Sequence, residues 1–263
     1  MDELLGFALS QEELLSALLL ADLPAPMGFD DLDTRVFGTL SEETRQALLA
    51  ATERTLAARG LLSRETDTLS LDEGVRHFLH TCTQPHYSWL LLHQPAAQAE
   101  RVSYFHQNST LTLAHVENAG IHQFLQLSGR EDVVATAQQL VAPLPGAAVT
   151  IAGHLPESAF ATMAAASTTL TRTQLEAQLC AVGLDNDTAK AFAATLSRLH
   201  SITAFARFSY QPTPQLQRAF TVVRGEDAQW ILTLSAPNTL HFQAVGGAAL
   251  NHILEDWGRT NVA

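Results

Sequence analysis

Residues 86–127, HYSWLLLHQPAAQAERVSYFHQNSTLTLAHVENAGIHQFLQL, are the stretch that decides the fold. Upstream of it the apolar residues recur at helical spacing; within it they alternate, the period-two signature of strands with one buried face. Four strands are predicted, Tyr87 to Gln94, Arg101 to Gln107, Leu111 to Val116 and Ile121 to Leu127, with a tight turn at Asn108-Ser109. Strands this close in sequence pair antiparallel, as a meander. Gly129 closes the run, and a helix predicted from Glu131 to Val141 can lie back across one face. Pro143, Pro145 and Gly146 then mark a boundary between two halves, 1–145 and 146–263.

Working back from the meander, the sequence predicts three helices and a wing. Ser10 to Asp22 is the first helix, with Ser10 as cap and Glu13 completing a capping box before Leu14, Leu15, Leu18 and Leu19. Pro24 and Pro26 stop it, and Asp30 to Thr39 is predicted to be irregular. A second helix starts at Ser41, where Glu42 and Glu43 suit the positive end of the dipole, and runs to Arg59. Gly60 follows where a residue with positive φ commonly ends a helix. Leu61 to Arg64 and Thr68 to Ser70 flank Glu65-Thr66-Asp67 as a short β-wing, and a third helix runs from Leu71 to Thr83. Helix, helix, wing, helix is a winged-helix-like outline.

Working forward, the second half repeats the plan. Helices are predicted at Pro156 to Ala166, Thr171 to Gly183 and Asp185 to His200, then strands at Ile202 to Gln211, Leu216 to Arg224, Gln229 to Leu234 and Leu240 to Val245. A helix from Ala248 to Trp257 completes it. At an offset of about 117 residues Gln94-Pro95 falls on Gln211-Pro212, Arg101 on Arg218 and Leu113 on Trp230, while Phe124 meets Phe242 one residue out of step. The wing has no counterpart before Ile202. The expected fold class is therefore α+β, with two quasi-symmetric halves whose meanders join edge to edge in one central sheet and so hide two strand edges.

Composition narrows the function. The 263 residues carry 15 Lys+Arg against 27 Asp+Glu, a formal net charge of -12. Such a chain repels phosphate backbones and anionic lipid, so neither nucleic acid nor a membrane is expected as partner. Only one basic residue is a lysine, Lys190, and charged residues make up 16%, against roughly 25% for ordinary soluble domains. A surface so short of charge suits burial against a partner. The acidic start Met-Asp-Glu-Leu-Leu does not read as a secretory signal, no apolar run is long enough to span a bilayer, and Cys82 and Cys180 form no CxxC pair. A cytoplasmic location is expected.

Motifs for chemistry are missing: there is no HExxH, GxSxG, P-loop, Rossmann fingerprint or EF-hand loop. The eleven histidines are the compositional oddity. His77 and His80 share a helix face, and His106 and His115 share a hairpin face if Asn108-Ser109 is the turn, but neither pair has a third ligand at readable spacing. Gly246-Gly247 reads as a strand-to-helix turn, and Asp30, Asp31 and Asp33 as a solvated loop. Ser158, His154 and Asp187 form a triad only by chance of composition. The site expectation is accordingly no catalytic, cofactor-binding or metal-binding residues, no cofactor, and a partner surface not assigned to residues. Trp89, Tyr104, Phe105, Phe208, Tyr210, Phe220 and Trp230 lie on strands; most belong to the core, and an uncovered sheet face would expose the rest for docking.

The capped helix at Ser10, the helix ending in Leu56-Ala57-Ala58-Arg59-Gly60-Leu61-Leu62, the wing, the helix leading to Gln84-Pro85 and the meander, all repeated in altered form, resemble the EspG proteins of ESX (type VII) secretion systems. The similarity covers nearly the whole chain, and its most specific piece is Ala58 to Leu62. The resemblance implies a cytosolic, non-enzymatic chaperone with a central sheet flanked by helices. It implies a helical PE/PPE-like client held through an apolar tip, in a groove made by the strands of one half and helices near the C-terminus. Low lysine and high histidine content depart from the pattern and leave the client's identity open. A winged-helix regulator and an enzyme without a readable motif remain as alternative readings, and a homodimer is possible. Against the regulator, Glu42, Glu43, Glu53 and Glu65 interleave Arg45, Arg54, Arg59 and Arg64.

Overall fold

The structure is a computed structural model and describes residues 6–65, 68–146, 151–210 and 213–259. The first half runs β1 (Gly6–Ser10), α1 (Gln11–Ala21), α2 (Leu32–Phe37), α3 (Glu42–Ala58), β2 (Leu62–Glu65), β3 (Thr68–Leu71), α4 (Glu73–Thr83), β4 (Tyr87–Pro95), β5 (Arg101–Gln107), β6 (Thr112–Asn118), β7 (Ile121–Leu127) and α5 (Arg130–Val141). The second runs β8 (Ala152–Pro156), α6 (Glu157–Ala165), α7 (Arg172–Ala181), α8 (Asn186–Leu196), β9 (Leu199–Tyr210), β10 (Pro214–Gly225), β11 (Gln229–Ala236), β12 (Thr239–Ala244) and α9 (Gly247–Gly258). The class is α+β. Among the described residues ten strands form one large sheet in the order β1-β7-β6-β5-β4-β9-β10-β11-β12-β8, and β2 pairs with β3 as the wing.

Local chemistry explains most boundaries. Ser10 Oγ accepts the Glu13 N–H at 3.2 Å while the Glu13 carboxylate accepts the Ser10 N–H at 3.0 Å, so the capping box starts α1 as expected. Thr171 and Gln174 repeat the device at α7. Asp72 caps α4, whose Val75, Phe78, Leu79 and Cys82 face inward at helical spacing.

Four features differ from the sequence reading. β1 and β8 were not predicted; each is five residues long and runs straight into a helix cap, too short for alternation to stand out. α2 forms in the stretch expected to be irregular, where Leu32 is buried and Arg35 pairs with Asp31. α8 stops at Leu196 instead of His200, because His200 belongs to β9 and its carbonyl accepts the Ala96 N–H. The β5–β6 turn spans 108–111 and not two residues: the Asn108 carboxamide oxygen accepts the N–H groups of Thr110 and Leu111 at 2.9 and 2.8 Å. The register moves by an even number of residues, so the faces stay as predicted.

Packing divides the chain into two compact units. One is Met1–Ser88, Ser103–Arg130 and Ser209–Gln215; the other is Trp89–Val102, Glu131–Phe208 and Leu216–Ala263. The first packs α1 and α4 on β6 and β7, with α3 against α1, around Leu14, Leu18, Leu56, Phe78 and Phe124. The second packs α7 and α8 on β11 and β12 around Leu175, Phe192, Trp230 and Phe242.

The strand registers in the two units match. His106 pairs with Leu113 as Val223 pairs with Trp230, and Tyr104 with His115 as Thr221 with Leu232. His115 pairs with Phe124 as Leu232 pairs with Phe242. The one-residue slip seen in sequence has a cause: β11 carries a register shift between Leu234 and Ala236, an extra residue that β6 lacks. At the edges, Phe7 pairs with Phe124 where Gly153 pairs with Phe242.

Candidate partner-binding groove

Strand alternation gives β4 and β9–β11 two apolar faces, and the helices cover them unequally. On one face the Trp89 indole N–H donates to the Trp257 carbonyl of α9 at 3.2 Å. Phe205 on that face stacks on Phe220 at 4.8 Å and meets the Trp257 ring edge-on at 5.1 Å. On the opposite face α8 covers Trp230, whose indole N–H donates to Thr195 Oγ1 at 2.8 Å, and Phe242, which stacks on Phe192 at 4.8 Å.

The same face continues as an open depression of about 280 Å³. Its floor holds Ala204, Ala206 and Ala219; its walls are Leu90 and Leu92 on one side and Leu232, Leu234 and Leu240 on the other, with Glu157 of α6 at the rim. Leu234 is 64% exposed. A second depression, lined by Pro156, Ser158, Ala159, Thr162, Met163, Gln178 and Val182, begins at the same first turn of α6. Alanines between leucines let another backbone approach closely, the pattern of a surface that accepts a helix. The aromatic patch expected on an uncovered face is therefore a leucine–alanine groove. Of the seven strand aromatics, Trp89, Phe105, Phe220 and Trp230 are buried, and Tyr104, Phe208 and Tyr210 are half-buried.

The fold has a counterpart among solved structures. The Mycobacterium tuberculosis type VII secretion system chaperone EspG5, solved in complex with a PE25–PPE41 dimer, matches with a TM-score of 0.62, over 95% of this chain and 94% of that chain, at 10% identity. The two chains share a fold. No family model and no curated protein matches this sequence.

The other sequence candidates separate. His77 and His80 are exposed on α4, and His77 meets the Thr110 hydroxyl at 3.2 Å. Gly246-Gly247 is a packed turn: the Gly247 N–H donates to the Gly146 carbonyl, and a Cβ at Gly247 would lie 2.3 Å from the Leu144 carbonyl oxygen. Asp31 is bound by Arg35 at 2.8 Å. Arg59, at the end of α3, pairs with Glu13 at 2.6 Å, and Arg64 on the wing lies 4.0 Å from Glu53. No helix among the described residues is long and apolar enough to cross a membrane.

His106 and His115, by contrast, come together with His122, all fully buried. His115 Nε2 meets His122 Nδ1 at 3.0 Å, and His106 Nδ1 meets Ser88 Oγ at 2.9 Å. Burial lowers the pKa of His106 to about 3 and of His122 to about 4, and holds His115 well below the ordinary imidazole range. The sequence showed two of these three. It missed Cys82, which α4 brings to the same place and whose thiol burial pushes well up.

Proposed function

We propose that this chain is an EspG-like, non-enzymatic chaperone that holds an exported helical partner of the PE/PPE kind through the leucine–alanine groove. The observation that carries the reading is an open apolar groove, floored by alanines and walled by leucines, on a fold shared with a chaperone that has been solved with such a dimer. Burying a helix tip there removes apolar surface from water on both sides, at roughly 25 cal/mol per Å². Low surface charge lowers the desolvation cost of docking, and the net charge of -12 keeps the free chaperone soluble. The reading places the protein in the cytoplasm, takes the halves at 1–145 and 146–263 as altered copies of one unit, and gives the wing a structural role.

Co-expression with a PE/PPE-like heterodimer, followed by size exclusion and light scattering, tests it. A stoichiometric complex is expected, and Leu234→Asp and Ala206→Arg are expected to weaken it at least tenfold without changing the far-UV spectrum. A folded protein that leaves such dimers insoluble, or binds them equally well with both substitutions, overturns the assignment of the groove. A homodimer closed over the groove would show as a doubled mass that Leu234→Asp halves.

A further inference from the structure

The groove leaves a second feature unused, the buried cluster beneath α4. Cys82 on α4, His106 on β5 and His115 on β6 are 1%, 0% and 0% exposed, and one ligand atom from each lies within 4.8 Å of the others. On each imidazole one nitrogen is held and the other is free. Ser88 Oγ holds His106 Nδ1, leaving Nε2 without a partner; His122 holds His115 Nε2, leaving Nδ1 without one. Buried polar nitrogens rarely go unpaired, since each costs about 1–3 kcal/mol. Here two of them belong to side chains clustered with a thiol, and on each ring the other nitrogen is fixed by a hydrogen bond, as the supporting shell of a metal site fixes its ligands.

We propose that Cys82, His106 and His115 bind one monovalent copper ion. A thiolate with two imidazoles selects copper(I) or zinc and rejects magnesium or calcium, which take oxygen ligands. Charge decides between the two. One thiolate, two neutral imidazoles and Cu⁺ sum to zero, whereas Zn²⁺ leaves a positive charge beside the rings of Phe29 and Phe124, which lie 4.9 and 4.5 Å from His115. An uncompensated charge in an apolar interior is costly. Ligand number points the same way, since structural zinc takes four protein ligands and the cluster supplies three. On binding, the Cys82 S–H bond breaks, the proton leaves to solvent and an S–Cu bond forms; copper enters and remains as Cu⁺, so no electron moves. Because the cluster is closed to solvent, the ion enters as the chain folds or when α4 lifts.

The full-length chain is refolded anaerobically with the copper(I)–acetonitrile complex, dialysed against a copper(I) chelator, and assayed for metal and protein. About one copper per chain is expected, with one sulfur and two nitrogen scatterers in the X-ray absorption spectrum. Cys82→Ser and His115→Gln are expected to lower retention at least tenfold, and Cys180→Ser to leave it unchanged. Ser88→Ala and His122→Gln touch only the supporting groups and are expected to weaken retention about 10- to 100-fold. If Cys82→Ser fails to fold without metal, the sulfur scatterer in Cys180→Ser decides: its presence supports the site and its loss overturns it. Folded wild type that retains no copper, or Cys82→Ser that retains it fully, overturns the proposal. Stoichiometric zinc in place of copper under the same protocol overturns the monovalent assignment.

Discussion

The two meanders have one register and two chemistries. His106, His115 and His122 of the first unit stand where the second has Val223, Leu232 and Leu240. Val223 and Leu232 are buried and Leu240 half-buried, as the three histidines are buried, yet one set is aliphatic and the other carries three imidazoles with unpartnered nitrogens. Strand geometry asks only for volume at these positions, and valine or leucine supplies it without polar atoms to satisfy. The histidines thus cost stability that the aliphatic residues at the matching register positions of the second unit avoid. A ligand that uses those nitrogens accounts for the cost.

The comparison breaks first in the aliphatic unit. Trp230 is 1% exposed and bonded to Thr195, so Trp230→Ala is expected to cost about 3–5 kcal/mol in a denaturant titration, through the cavity and the lost indole hydrogen bond. Converting the first unit to the chemistry of the second, with His106→Val, His115→Leu and His122→Leu together, is expected to raise metal-free stability by about 2 kcal/mol or more. A loss of stability in that variant would mean that the imidazoles are packed better than the aliphatic side chains of the other repeat.

The same triple variant sharpens the comparison through pH. Unfolded histidines titrate near 6.5, while in the folded metal-free chain burial holds His122 near 4 and His106 near 3. Below pH 6.5 the unfolded state binds more protons, so acid favours unfolding. Stability is expected to be fully present above pH 6.5 and to fall steadily toward pH 4, with the slope largely removed in the triple variant. His93, whose pKa burial also lowers, supplies the remaining slope from the second unit, and unfolding curves at pH 7.5 and 5 measure both.

Smaller effects probe the edges. Gly153 sits where Phe7 sits in the first unit, and a Cβ there would lie 2.9 Å from the Phe242 ring; Gly153→Ala is expected to cost about 1 kcal/mol or more. Phe7 instead stacks on Phe124 at 5.0 Å, so its truncation opens space where the glycine change closes it. Smallest is Arg198→Ala, which removes half-exposed ion pairs with Glu226 and Asp227 and is expected to change stability by less than about 1 kcal/mol.

Much of the fold was legible because its signals are local. Capping boxes at Ser10 and Thr171, glycine after α3 and strict alternation in the meanders each act within a few residues. The edge strands β1 and β8 were not legible, since five residues become a strand only when β7 or β12 offers its open side. The groove was not legible residue by residue: an uncovered apolar sheet face was expected, but which strand residues lack a helix above them is set by elements distant in sequence.

By itself the sequence determined the α+β class, the capped helices, the strands of both meanders and the faces of the histidines, because periodicity and capping are properties of neighbours along the chain. Only the tertiary structure decided that alanines 204, 206 and 219 form the floor of one groove, and that Cys82, 24 residues before His106, joins it and His115 in one buried cluster. Both are meetings between elements distant in sequence, set by how helices seat on strands, and no local pattern encodes a contact whose partners come from different elements.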